Sequence, residues 1–140
     1  MSLPDELVAM LRRPSTCYLA TLMPDGSPQL TQTWVDTDGE NVIINSVETH
    51  MKARNIARDP RVALTVSDPS DPTTFFQVRG EVVNTTTEGA EEHVERLSQR
   101  YLNRPYPRFT GGEEVRVMFM IAPEKVSRTP AQPLSTASVR

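Results

Sequence analysis

The stretch Asn45-Ser46-Val47-Glu48-Thr49-His50-Met51-Lys52-Ala53-Arg54-Asn55 gathers the residue types in this chain best suited to holding a charged ligand. It runs from the end of an apolar, strand-like run into a short helix. Asn45 and Ser46 offer hydrogen bonds, and His50, Lys52 and Arg54 crowd the first turns of that helix. Cations at a helix start oppose its dipole, at a cost of a few tenths to about 1 kcal/mol each. A bound anion reverses the sign, because free backbone N–H groups and cations then converge on one phosphate. Two readings fit this pattern: an anion site, or a solvated basic face on a surface helix. A second stretch, Gln29-Leu30-Thr31-Gln32-Thr33-Trp34, puts Thr31 and Thr33 on one face of a strand and Gln32 and Trp34 on the other. Such a strand either lines a site or sits at a sheet edge with its threonines in water. Trp34 fits a core or interface position as well as a place against a ligand ring.

Residues for acid–base or nucleophilic catalysis are scarce. His50 and His93 are the two histidines, far apart in sequence, and His93 falls in a charged helix where a solvated ring is expected. The chain has no HExxH, no paired cysteines, no nucleophile elbow and no GxGxxG or GxxxxGK loop. No metal site is expected. Chemistry in such a chain is expected to come from a cofactor.

The elements that must position these residues follow from pattern. Ser2-Leu3-Pro4-Asp5 reads as a capped helix start, Leu3, Leu7, Met10 and Leu11 recur at helical spacing, and Pro14 closes the segment. Thr16 to Leu22 is strand-like and ends in the turn Pro24-Asp25-Gly26-Ser27. Gln29 to Val35 resumes as a strand, Asp36-Thr37-Asp38-Gly39 turns, and Val42 to Ile44 is a short buried strand. Thr49 to Arg58 is a short helix stopped by Asp59-Pro60. Strands are expected over Val62 to Val66 and Phe75 to Val83, joined by the loop Asp68 to Pro72, with Gly80 a bulge or close-approach point. Thr87 to Tyr101 is the clearest helix, with Ala90, Val94, Leu97 and Tyr101 on its apolar stripe. A last strand, Glu113 to Ile121, alternates cleanly, and the chain after Pro123 is expected to be largely loose. Six strands joined mostly by hairpins predict a mainly β fold with helices, an antiparallel sheet closed into a barrel. So small a barrel fills its centre with side chains, which leaves a large ligand the rim or a subunit boundary.

Composition narrows the function further. The 140 residues make one domain, divided here into 1–128 and a C-terminal tail, 129–140. A net charge of −3 gives no basic field for nucleic acid or anionic lipid, so neither is an expected partner. The lone Cys17 excludes an internal disulfide and reads as a small buried thiol. No apolar run approaches the roughly 20 residues of a membrane span. The first residues lack the basic flank and apolar block of a secretory signal, so the cytoplasm is the expected compartment.

Ala20 to Thr31 (A-T-L-x-P-D-G-S-P-Q-L-T), together with the K-x-R-N-x-x-R-D-P-R-V pattern of Lys52 to Val62, resembles the pyridoxamine 5'-phosphate oxidase-like split-barrel family. Within it the chain is most similar to the actinobacterial deazaflavin (coenzyme F-420) dependent reductases of the B type. The resemblance spans Leu7 to Arg128. It implies a six-stranded split β-barrel of the FMN-binding type, and a homodimer with two coenzyme sites at the subunit interface. It implies that Lys52, with Arg54 and Asn55 nearby and His50 and Met51 beside them, meets the coenzyme's phosphate-bearing tail. His50 stands where relatives often carry arginine. Thr31, Gln32 and Thr33 are implied to line the ring and ribityl region, with Asn45 and Ser46 at the next strand end. Phe76, Gln77 and Val78 are implied to approach from the other subunit. The implied activity is hydride transfer from F-420 to an electron-poor small-molecule acceptor, with no dedicated catalytic side chain required. An FMN-binding oxidoreductase on the same fold, or a non-catalytic coenzyme carrier, are the alternatives. Acceptor contacts are expected from the loops Asp68 to Thr73 and Leu102 to Gly112.

Overall fold

The computed structural model describes residues 1–109 and 113–131. Its elements, in chain order, are α1 (Asp5–Leu11), β1 (Thr16–Leu22), β2 (Pro28–Thr33), β3 (Asp36–Thr37), β4 (Val42–Val47), α2 (Met51–Arg58), β5 (Arg61–Asp68), β6 (Asp71–Thr86), α3 (Ala90–Leu102) and β7 (Arg116–Thr129). The strands form one sheet in the order β2-β1-β5-β6-β7-β4-β3, with every neighbouring pair antiparallel. The fold is the expected split barrel, with seven strands where six were expected. The addition is β3, a two-residue ladder inside the Asp36–Gly39 turn, where Asp36 pairs with Ile43 and Thr37 with Val42.

Several element boundaries shift by a few residues from the sequence reading, and three of the differences bear on the fold. α1 starts at Asp5 behind Pro4, with no side-chain cap, so Ser2 does not cap it. Asp68 to Pro72 is a tight hairpin turn, because β5 runs through Asp68 and β6 begins at Asp71. The chain beyond Pro123 is not loose as far as Thr129: Lys125 to Thr129 pairs with Arg79 to Phe75. Pro123 lies opposite Gly80 at a register shift, where a residue without an N–H costs the ladder no bond. Glycine is required at position 80, because a Cβ there would collide with the Ala122 carbonyl oxygen. Residues 132–140, most of the tail segment, lie outside the described residues.

The core collects Leu7 and Leu11 from α1, Cys17 and Leu19 from β1, Ile44 from β4, Ile56 from α2, and Leu64, Phe76, Val78, Phe119 and Ile121 from the long strands. Cys17 is fully buried, which pushes its thiol up to about 12 and makes it inert. With the barrel centre full, α3 packs outside, against β4 and β7. The space left between α3 and the strand ends is where the candidate site lies.

Candidate functional site

A cavity of about 660 Å³ opens between the end of β2, the end of β4, the start of α2, α3 and the start of β7. That volume suits an organic coenzyme or much of one. Its walls differ in chemistry. Gln32, Thr33, Asn45, Ser46, His50 and Lys52 supply hydrogen-bonding and basic groups, and Trp34, Tyr101, Tyr106 and Phe109 supply an aromatic wall.

Lys52 reaches this cavity because α2 is docked by a buried chain of hydrogen bonds. Asn55 Nδ2 donates to Thr21 Oγ1 at 3.0 Å, and Thr21 Oγ1 donates to Gln29 Oε1 at 3.1 Å, tying the helix to β1 and β2. Arg58 Nη2 donates to Asn55 Oδ1 at 2.7 Å and to the Leu22 carbonyl at 2.9 Å. Docked this way, Lys52 is half-buried. Burial pushes its ammonium below the usual lysine range, and the nearby Arg116 adds to the effect. The His50 imidazole is lowered in the same sense, by burial first and then by Lys52 and Arg116, and is therefore neutral near pH 7. Among the described residues Lys52 forms no salt bridge. A partly desolvated cation without a carboxylate partner is stabilised by a bound anion.

Arg116, the first residue of β7, is only 8% exposed and lines the same cavity. Its Nε donates to Asn45 Oδ1 at 2.9 Å, and its Nη1 donates to Tyr106 Oη at 3.1 Å and to Glu114 Oε1 at 3.2 Å. The guanidinium also lies 5.1 Å from the Tyr106 ring centre. Burial raises the Tyr106 phenol, Arg116 works against that, and Glu114 adds to it.

Behind Arg116 runs a polar relay that sequence reading missed. Arg116 only donates and the Ala90 carbonyl only accepts, so the Asn45 amide has one possible orientation: Oδ1 toward Arg116, Nδ2 toward Ala90 O at 2.9 Å. Nδ2 then donates to His93 Nδ1 at 3.0 Å, which leaves the His93 proton on Nε2, donating to Asp36 Oδ2 at 2.9 Å. Arg100 Nη1 completes the chain by donating to Asp36 Oδ1 at 3.0 Å. Burial would raise the Asp36 carboxyl, but the bonds from His93, the Thr37 N–H and Arg100 outweigh it and hold it at about 2. His93 is therefore not solvated: it is 2% exposed and fully engaged. The spacing held the signal, because position 93 is three residues after Ala90 and four before Leu97, on the buried stripe of α3.

The aromatic wall was equally unread. Trp34 stacks on Tyr101 at 5.3 Å and 15°, and meets the edges of Tyr106 at 6.4 Å and Phe109 at 6.3 Å. Tyr101 is anchored in turn, with its hydroxyl 3.4 Å from Ser15 Oγ and accepting from the Val35 N–H at 3.3 Å.

Of the residues singled out from sequence, Gln32, Thr33, Asn45, Ser46, His50 and Lys52 come together here. The others do not line this cavity. Arg54 sits two positions beyond Lys52, about 200° around the helix, and is exposed, reaching only the Met51 sulfur at 3.9 Å. Met51 is exposed, and Asn55 is consumed in docking α2. Thr31 points inward from β2 with an Oγ1 that has no partner among the described residues. Phe76 and Val78 are buried in this chain's own core, so only the exposed Gln77 of that trio presents a side chain outward.

Comparison with known proteins agrees with this architecture. A solved structure of a protein named F420 reductase matches with a TM-score of 0.74 and 31% identity, covering 89% of this chain and 98% of that one. A conserved hypothetical protein of Mycobacterium tuberculosis matches at 0.67 and 22% identity over 97% of this chain and 92% of its own. The General Stress Protein 26 of Bacillus anthracis matches at 0.67 and 15% identity over 91% and 94%. These last two share the fold alone. The family model described as pyridoxamine 5'-phosphate oxidase matches residues 3–129, nearly the whole described structure, and the chain belongs to that family.

Proposed function

We propose that this chain is a coenzyme F-420-dependent oxidoreductase that delivers hydride to an electron-poor organic acceptor and works as a homodimer. The observation that carries the reading is the half-buried Lys52, without an ion-pair partner among the described residues, set in a cavity with an aromatic wall. The 31% identity to a protein named F420 reductase supports the deazaflavin over other phosphate-bearing rings. When bound, a deazaflavin supplies a two-electron hydride donor; the protein's task is to bind, orient and keep water out. Lys52 meets an anionic group of the coenzyme. The Gln32 side chain is exposed at the cavity and available for hydrogen bonds to a polar ring system. Trp34, Tyr101, Tyr106 and Phe109 exclude water from that side of the site.

An FMN-binding oxidoreductase is the second reading, supported by membership of the pyridoxamine 5'-phosphate oxidase family and by the FMN-binding barrel type that the sequence resemblance implies. Titration of the pure protein with F-420 and with FMN separates the two. Tighter binding of F-420, followed by oxidation of the reduced coenzyme on a panel of conjugated carbonyl and tetrapyrrole-like acceptors, is the expected result. Tighter FMN binding would transfer the assignment to flavin chemistry. Tight binding with no turnover on any acceptor would make the protein a carrier.

A further inference from the structure

We propose that the Nη2 edge of Arg116 is an anchor for an anionic oxygen of the coenzyme, and that Asn45 and His93 are positioning residues that aim it. The proposal rests on the coenzyme reading above. Its starting point is an accounting of the guanidinium's five donors. Nε is taken by Asn45 and both Nη1 hydrogens by Tyr106 and Glu114, while Nη2 has no partner among the described residues. The residue is only 8% exposed, and Nη2 is not among the buried unpartnered atoms, so this donor edge opens onto the cavity, where an anionic oxygen can accept a charge-assisted bond from it. The residue lines the cavity that also holds Lys52, so one ligand oxygen set can satisfy both cations. The local charge agrees. Glu114 offsets one of the two cations, His50 is neutral near pH 7, and a surplus positive charge remains.

The relay explains why the edge is fixed. An arginine reaching into a cavity has many rotamers, and losing them on binding weakens the contact. Here every rigid partner is itself held: Asp36 by Arg100, His93 by Asp36, Asn45 by His93 and Ala90, Arg116 by Asn45. His93 has to accept at one ring nitrogen and donate at the other, which an apolar residue of similar size cannot do. Glutamine can, because its amide oxygen and nitrogen present the same acceptor–donor pair.

Trp34 is the only tryptophan in the chain and lines the cavity, so its fluorescence reports occupancy directly. Wild type, Arg116→Lys, His93→Leu and His93→Gln are titrated with F-420, its phosphate-free deazaflavin riboside, FMN and riboflavin. Arg116→Lys keeps a charge opposite Glu114 but removes the Nη2 edge. If it does not fold, the two His93 variants carry the test. The expected result is a wild-type preference of at least tenfold for the phosphate-bearing member of a pair. Arg116→Lys and His93→Leu reduce that preference tenfold or more, and His93→Gln keeps it within about threefold. Equal losses for phosphate-bearing and phosphate-free ligands would mark a purely structural role and overturn the proposal, as would an unchanged preference in folded Arg116→Lys or His93→Leu. A wild type that binds both members of each pair equally sinks the Arg116 anchor and leaves the coenzyme reading standing. Binding of none of the four overturns both.

Discussion

Lys52 and Arg116 owe their chemistry to different causes, although both face one cavity. Lys52 is exposed enough to have been legible: a basic residue at the start of a short helix, with no acid in the first turn. Replacing it with alanine is expected to weaken F-420 binding by about 1–3 kcal/mol, roughly 5- to 150-fold, the scale of one charge-assisted contact. Unchanged affinity in the fluorescence titration would remove Lys52 from the site. Because its ammonium is pushed below the usual range, its charge is lost at lower pH than that of a free lysine. Coenzyme affinity should accordingly fall as pH rises toward that depressed pKa, and Lys52→Ala should abolish the fall. Asp36 works with the opposite sign. Its carboxyl is held at about 2 against an ordinary 3.8, so its stabilisation is complete above the ordinary value and is lost as pH falls through about 2. The shift corresponds to about 2 kcal/mol of stability. Asp36→Asn should flatten the dependence of unfolding free energy on pH between about 4 and 2; an unaltered slope would deny Asp36 that role.

At the scale of elements, period and punctuation carried most of the reading and failed where tertiary pairing took over. The Pro24-Asp25-Gly26-Ser27 turn forms as its residues require, with Gly26 at φ 87° and Asp25 accepting from the Ser27 N–H. β7 ran past its expected end because Pro123 reads as a stop in the sequence, whereas in the fold it sits at a register shift and Lys125 to Thr129 goes on pairing with β6. His93 was misplaced for a related reason: a polar residue on a charged helix looks solvated until its partners, Asn45 and Asp36, arrive from other elements. Gly80 shows the reverse, since a glycine inside a strand already signalled a close approach. Gly80→Ala should destabilise the protein by about 1–3 kcal/mol, because the obstructing atom belongs to the β7 backbone and cannot swing aside. Urea unfolding measures this; an unchanged midpoint would mean that the two strands separate freely.

For the whole molecule, the edge strand β2 carries Leu30 at 66% exposure, across from Ala20 and two pairs along from the exposed Tyr18. An apolar edge of this kind is a hazard for a monomer and suits the proposed homodimer. Sedimentation should give twice 15.7 kDa, and Leu30→Glu should shift the protein toward monomer with loss of coenzyme binding. A monomeric wild type would refute the proposed assembly. The chain's local chemistry determined the hairpins, the three helices, the inert core thiol and the cation at the start of α2, because each depends on residues a few positions apart. Only the folded chain could decide that Asn45, His93 and Asp36 form one relay behind Arg116, and that Trp34 meets Tyr101. Those contacts join positions 48 to 71 residues apart, and no spacing in the sequence encodes them.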